Sequence, residues 1–252
     1  MTLTISVVTA VFNRVDTVGE ALASVRAQDW PQVEHIVIDG ASTDGTLMKL
    51  RSMQEGLAVL VSEPDRGIYE ALNKGIRLAS GDVVGFLHAD DLYESRDVLS
   101  QIAQAFEDPA VDAIYGDLVY TRQSDPSRVV RYWRAGPFKP GCLAAGWMPP
   151  HPTFYVRRSV YQRLGMFDTA YRISADYDTV LRFLGRGGVM PRYLPQVLVR
   201  MRLGGISNRS LGALLLKSQE DLLAMRRNGI GGLGALMRKN FVKLPQFVCR
   251  LP

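Results

Sequence analysis

Cysteine is almost missing from this sequence: 252 residues hold two, Cys142 and Cys249. They stand too far apart for a metal-binding or redox spacing, so two free thiols in a reducing compartment are expected. Long hydrophobic runs are missing as well. No stretch of about 18 apolar residues occurs, which argues against a membrane-spanning helix. The phosphate-cradling patterns GxxxxGK[ST] and GxGxxG are absent, so a nucleotide would have to be held by other means. There are no internal repeats and no low-complexity segments. Residues 1–11 run directly into an apolar strand pattern without a basic leader, which sets the expectation of a cytoplasmic protein.

What is present is ordinary in amount and uneven in placement. Hydrophobic residues make up 47% and charged residues 22%, enough apolar material for one globular domain of this length. The net charge of +5 is concentrated at one end. From Arg202 onward nine Lys and Arg face only Glu220 and Asp221, whereas the preceding body has 21 basic and 23 acidic residues. A basic tail attracts phosphates, anionic lipid or nucleic acid. Aromatics are not interleaved with these charges as in a stacking platform, so nucleic acid is not an expected partner.

The first hundred residues alternate between two periodicities. "TISVVTAVF" (4–12), "VEHIVIDG" (33–40), "LAVLVSE" (57–63) and "DVVGFLHADD" (82–91) read as strands. Residues 15–28, 43–53 and 67–80 read as helices, the first with Asp16 or Thr17 as its cap. The alternation predicts an α/β fold with a parallel sheet and helices on both faces. Ligands in such sheets sit at the carboxyl ends of the strands. Thr9 to Asn13, Asp39, Glu63 to Arg66 and His88 to Asp91 all fall there. Farther on, 112–120 and 128–134 read as a hairpin, 153–156 as a short strand, 174–188 as a helix with Ser174 as cap, and 192–207 as a last strand. Gly204–Ser207 marks a boundary between a body, 1–205, and a tail, 206–252.

"GFLHADDLYES" (85–95) carries the chemistry. Two adjacent carboxylates, Asp90 and Asp91, follow the apolar run Val83–Leu87. Burying either alone would be costly. A divalent cation resolves this, because Mg²⁺ takes one or two carboxylates and fills its remaining sites with water and substrate phosphates. Asp39 could accept a hydrogen bond from a base N–H or serve as a turn residue before Gly40. Asp65 and Arg66 could meet the base or form a solvated turn pair. Asn73 and Lys74 lie on a helix, where Lys74 could equally be a surface lysine. His151 could border the diphosphate or pack. Trp147 and Met148 could form a sugar shelf or core, and Arg157 and Arg158 read as surface residues.

"TISVVTAVFNRVDTVGEALASVRAQ", "EHIVIDGASTDGT", "SEPDRGIYEALNKGIRLASGDVVGFLHADD" and "GMFDTAYRISADYDTVLR", in this order, resemble the family 2 glycosyltransferases over residues 2–205. The resemblance implies the GT-A fold: a Rossmann-like, mostly parallel sheet flanked by helices, with about 1–115 binding the nucleotide-sugar and about 116–205 the acceptor. It implies an inverting enzyme with a nucleotide-sugar donor, a UDP-sugar first, and a divalent metal, Mn²⁺ or Mg²⁺. It places Thr9, Ala10, Phe12, Asn13 and Asp39 on the nucleoside, with Asp65, Arg66, Asn73 and Lys74 nearby. It puts His88-Ala89-Asp90 at the family's DxD position. The first Asp is replaced by His88, leaving Asp90 as main ligand with Asp91 beside it; an imidazole ligand favours Mn²⁺.

Inversion needs one base opposite the leaving phosphate. "SADYD" offers Asp176 and Asp178 at a helix start, which favours ionised carboxylates. They lie about 200° apart on a helix, so only one can face the site. The resemblance selects Asp176. The implied acceptor is a hydroxyl in cell-surface polysaccharide or lipid-linked oligosaccharide synthesis. In the tail, residues 214–225 suit one helix, and the apolar, purely basic 233–248 suits peripheral contact with the inner face of the membrane. Two other readings stand beside this one. A sugar nucleotidyltransferase would need a glycine-rich basic loop that "TAVFNRVDT" lacks, and a non-catalytic nucleotide-sugar-binding protein would suit the missing first Asp. Sugar, nucleotide, acceptor and oligomeric state stay open at this level.

Overall fold

The computed structural model describes residues 2–139, 141–204 and 211–241. Part of the boundary expected at 204–207, the end of the second tail segment and Cys249 lie outside the described residues. The chain begins β1 (Ile5–Val11), α1 (Val18–Arg26), β2 (Val33–Asp39), α2 (Thr46–Ser52), β3 (Val59–Ser62), α3 (Ile68–Leu78), β4 (Val83–Phe86). The α/β alternation read from the sequence is therefore present. A two-residue strand β5 (Leu92–Tyr93), α4 (Val98–Ala105), β6 (Ala113–Arg122) and β7 (Asp125–Trp133) follow. Then come β8 (Tyr155–Arg157), α5 (Arg158–Leu164), α6 (Ala175–Val180), β9 (Pro191–Arg202), α7 (Leu211–Asn228) and α8 (Leu233–Phe241).

The sheet order is β3-β2-β1-β4-β8-β6-β9-β5, with β7 paired to β6. β1 is parallel to β2 and β4, and β2 to β3, so four carboxyl ends align along one edge. β8 then enters antiparallel to both β4 and β6. A Cβ at Gly85 would stand 2.0 Å from the Tyr155 ring, so glycine there lets β8 close on β4. The strand order reverses between β1 and β4, the place where open α/β sheets form a ligand crevice.

Every residue of β1 is buried, as its β-branched run requires of a strand covered on both faces. Side chains alternate between the two layers. Val8 and Ala10 pack with Ala71, Leu72 and Ile76 of α3. Ile5 and Val7 pack with Val98, Leu99 and Ile102 of α4, and Val11 packs with Val18 and Leu22 of α1.

Several boundaries differ from the sequence reading. The fourth strand ends at Phe86, and His88–Asp91 is a turn closed by the Asp91 N–H donating to the His88 carbonyl at 3.0 Å. The hairpin turn is Gln123-Ser124, because pairing starts at Arg122↔Asp125. α6 is short and continues as a π-helical turn over Leu181–Arg186. Neither Thr17 nor Ser174 makes a side-chain capping bond. Arg157 is not a free surface cation: its guanidinium donates to the carbonyls of Phe106, Asp108 and Val111. Arg158 likewise donates to the Gly81 carbonyl at 2.8 Å.

The described tail packs on the body. Ala224, Met225 and Ala235 share a core with Tyr177, Val180 and Leu184 around α6. Lys239 is 3% exposed; its ammonium lies 2.9 Å from Asp221 and 3.1 Å from the Tyr177 ring centre. Lys217 pairs with the same carboxylate at 2.7 Å. Among the described residues, no helix is long and apolar enough to cross a membrane.

Candidate active site

A cleft of about 520 Å³ opens where β1 and β4 end. β1 delivers Ala10, Phe12, Asn13 and Arg14 to it. Phe12 is 57% exposed despite being apolar. Asn13 takes a left-handed φ of 50°, which asparagine tolerates better than most residues. Its N–H donates to Ser42 Oγ and its side-chain oxygen accepts the Thr43 N–H, both at 2.9 Å, so the first two βα loops lock together. Asp65 comes from the loop after β3, where its carboxylate accepts the Gly67 N–H at 2.9 Å.

The turn after β4 contributes His88, Ala89 and Asp90. Asp90 faces the Arg14 guanidinium at 3.7 Å, both side chains about a third exposed. His88 has a buried Nδ1 without a hydrogen-bond partner among the described residues. Burial, then the neighbouring His151, pushes its pKa down to about 4, against the opposing pull of Asp90 and Asp176. The imidazole is thus neutral near pH 7, the form that can ligate a metal. Its ring centre lies 5.6 Å from that of His151.

α6 brings Asp176, at its start, into the same cleft. His151 Nδ1 is 3.5 Å from Asp176 Oδ2, and the Tyr69 hydroxyl reaches Asp176 Oδ1 at 3.3 Å. The same hydroxyl donates to the Ile173 carbonyl at 2.5 Å. Burial, then Asp176, raises the Tyr69 pKa well above its ordinary value, so the phenol stays protonated and donates. Asp178 points elsewhere, as the helical spacing predicts. It is 6% exposed, pairs with Arg182 at 3.5 Å and accepts from Asn228 at 2.9 Å.

The cleft gathers Ala10, Phe12, Asn13, Asp65, His88, Ala89, Asp90 and Asp176 from the expected set. The other six lie outside its lining. Asp91 is 1% exposed, and its Oδ1 accepts the Arg202 N–H at 3.3 Å while Oδ2 has no partner among the described residues. Burial, then the charge of Asp90, raises its pKa well above its ordinary value. Asp39 is fully buried; its two oxygens accept from Ser42 and Ser62 and so tie the loop after β2 to the end of β3. Thr9 is buried against His35 Nε2 at 3.0 Å. Arg66 is exposed and pairs with Glu70. Asn73 bonds both backbone groups of Phe167, and Lys74 pairs with Glu63 at 2.9 Å. Trp147 packs between Tyr115 and Phe138, and Met148 is buried, so both are core.

Other residues in the cleft were not anticipated: Arg14, Tyr69, Arg172 and Arg202. Arg202 is 3% exposed; its guanidinium donates to the Asp90 carbonyl at 3.3 Å and to Glu20 at 2.5 Å, fixing the turn that presents Asp90. The position of Arg14 two residues past a strand end was the available signal.

A divalent cation fits part of this set. The imidazole of His88 and the carboxylate of Asp90, both in the cleft lining, are the donor types such a cation takes. Among the described residues no group of three or more His, Cys, Asp or Glu encloses a metal. Two protein ligands completed by phosphate and water are the usual arrangement for a nucleotide-borne cation.

The comparisons with known proteins agree with this architecture. A Mannosyltransferase from Pyrobaculum calidifontis, solved with GDP-Man and Mn²⁺, superposes with a TM-score of 0.68 at 23% identity, covering 98% of this chain and 74% of that one. The fold is thus GT-A, Rossmann-like. The model of glycosyl transferase family 2 matches residues 6–174, and the chain belongs to that family. A glycosyltransferase of Mycobacterium tuberculosis, described as uncharacterized, is 35% identical over 188 residues, 71% of this chain and 68% of the relative. A PGL/p-HBAD biosynthesis glycosyltransferase of Mycobacterium bovis is 27% identical over 217 residues, 84% of this chain and 82% of the relative.

Proposed function

We propose that this glycosyltransferase inverts the anomeric centre as it moves a sugar from a nucleoside diphosphate to an acceptor hydroxyl. A UDP-sugar is the first donor to test. The observation that carries the reading is one cleft lined both by Asp90, from the turn after β4, and by Asp176, from the start of α6. A single displacement needs negative charge drawn off on one side and a proton accepted on the other.

Phe12 is the exposed apolar face on which a base or ribose would rest. Arg14 supplies a fixed positive charge beside Asp90 for the diphosphate. His88 and Asp90 would hold a divalent cation, which when bound neutralises charge on the leaving diphosphate. Asp176 accepts the acceptor's proton, while Tyr69 and His151 hold its two oxygens in a fixed direction. Phe86, Phe154, Phe167 and Ile173 line the cleft and exclude water around the reacting atoms.

The acceptor we favour belongs to cell-surface polysaccharide or lipid-linked oligosaccharide synthesis, met at the cytoplasmic face of a membrane. Leu215, Leu233 and Met237 stand 66%, 63% and 59% exposed on α7 and α8, with Arg226 and Arg238 exposed nearby. Such a face suits anionic lipid. Sedimentation with phosphatidylglycerol vesicles, but not with phosphatidylcholine vesicles, is the expected outcome; equal recovery from both ends the membrane part.

A thermal-shift screen of UDP-, GDP- and dTDP-sugars with and without Mn²⁺ tests the central reading. Stabilisation by one nucleotide-sugar that requires Mn²⁺ is expected. No response to any of them overturns the reading, and a response to GDP- or dTDP-sugar alone replaces the UDP assignment.

A further inference from the structure

We infer that Glu220, on α7, is a positioning residue for Asp176. The inference rests on Asp176 being the base. Glu220 lies beyond the 6–174 segment matched to the family, and nothing in its local sequence marks it as functional.

α6 starts without help from its own cap. Ser174 makes no side-chain capping bond; its hydroxyl points instead toward the Lys217 carbonyl at 3.4 Å. The N–H groups of the loop entering α6, at Arg172, Ile173 and the N-cap Ser174, are buried or part-buried and need an acceptor. Glu220 supplies it from 46 to 48 residues away. Its Oε1 accepts the Arg172 N–H at 2.8 Å, and its Oε2 accepts those of Ile173 and Ser174 at 2.8 and 2.9 Å. Glu220 is 8% exposed, so these bonds are shielded from water, where bonds to a charged acceptor are worth most.

These three residues lead directly into Ala175 and Asp176. Tyr69 grips the Ile173 carbonyl and Asp176 Oδ1 from the cleft, while Glu220 grips the N–H side of the same segment from α7. The backbone bearing the base is therefore clamped between two side chains remote in sequence. α7 itself is held on the body by Ala224 and Met225 in the shared core, and Asp221 ties it to α8 through Lys239. The tail thus reaches the chemistry through one carboxylate. A base must be held within a fraction of an ångström, and a displacement of about 1 Å can cost about a hundredfold in rate.

The test compares Glu220→Ala, Glu220→Gln and Asp176→Asn with the full-length wild type. Three quantities are read: nucleoside diphosphate release from UDP-glucose, UDP-N-acetylglucosamine or GDP-mannose with Mn²⁺, whichever the wild type turns over fastest; donor Kd by calorimetry; and amide hydrogen exchange over 170–178. Glu220→Ala is expected to lower kcat by about 30-fold, leave donor Kd within about twofold, and speed exchange at Arg172, Ile173 and Ser174. Glu220→Gln keeps one acceptor oxygen and recovers kcat to within about fivefold of wild type. A wild-type kcat in folded Glu220→Ala overturns the inference, as does a loss shared equally by kcat and donor binding. If the alanine variant does not fold, Glu220→Gln decides: unchanged kcat with unchanged exchange overturns the inference. An inactive Asp176→Asn beside a fully active Glu220→Ala removes the positioning role alone, whereas an active Asp176→Asn removes the base as well.

Discussion

The two walls of the cleft are supported in opposite ways. The strand-end wall is built from neighbours in the sheet. Asn13, Ser42 and Asp39 join adjacent loops, and β1, β2 and β4 hold them in parallel register. The facing wall is a helix of six residues, too short to be stable by itself. It is kept in place by Tyr69 from α3, His151 from the loop before β8 and Glu220 from α7. The two supports meet at His151, which lies 3.5 Å from Asp176 and 5.6 Å, ring centre to ring centre, from His88. With the rest of each support distinct, perturbing Asp176 or Asp90 is expected to affect mainly its own task.

Asp176→Asn attacks the facing wall most directly. The amide cannot accept a proton, so turnover is expected to fall about a thousandfold with donor Kd unchanged. Parallel weakening of donor binding in calorimetry would break the separation between the walls. Asp90→Ala attacks the other side. Donor affinity in Mn²⁺ should fall about a hundredfold, while the much weaker metal-free affinity should hardly move. Equal affinities for wild type and variant in Mn²⁺ would remove Asp90 from the donor site.

A third test concerns the stability of the strand-end wall. His35 lies behind Thr9 with its pKa lowered from 6.5 to about 4, by burial first and by Arg26 second. A folded-state value below the unfolded one stabilises the protein above pH 6.5, and that contribution is lost as pH falls through 4. Urea unfolding should show about 2 kcal/mol less stability at pH 4.5 than at pH 7 from this residue, and His35→Gln should flatten that part of the slope. An unchanged slope in the variant would assign the acid sensitivity to other groups.

The strand-end wall was legible because its signals are local. β-branched runs predict buried parallel strands, and polar residues just past them predict a ligand edge. Helical spacing showed that only one of Asp176 and Asp178 can face the site; the choice of Asp176 came from the resemblance. Local pattern could not separate residues that line the cleft from those that build it. Asp39, Asn73 and Lys74 sit in the right blocks, yet their side chains are taken up by Ser42 and Ser62, Phe167 and Glu63. The roles of Glu220 and Lys239 were not legible. The partners of Glu220 lie in the loop before α6, far away in the chain, and Lys239 meets Asp221 and the Tyr177 ring only once the tail packs on the body. Side-chain direction in a turn depends on such distant contacts and not on periodicity.

Asp90 and Asp91 show this at the smallest scale, and the last test uses them. The two carboxylates are neighbours in sequence, but the turn sends Asp90 into the cleft and Asp91 beneath it, where Arg202 on β9 meets it. Asp91→Asn keeps an oxygen for the Arg202 N–H and fills the same space. It should leave donor affinity in Mn²⁺ within about twofold of wild type, where Asp90→Asn should not. A loss in Asp91→Asn as large as that in Asp90→Asn would mean that the turn rearranges when donor binds and brings both acids to the cation. The difference between the two neighbours would then belong to the free enzyme alone.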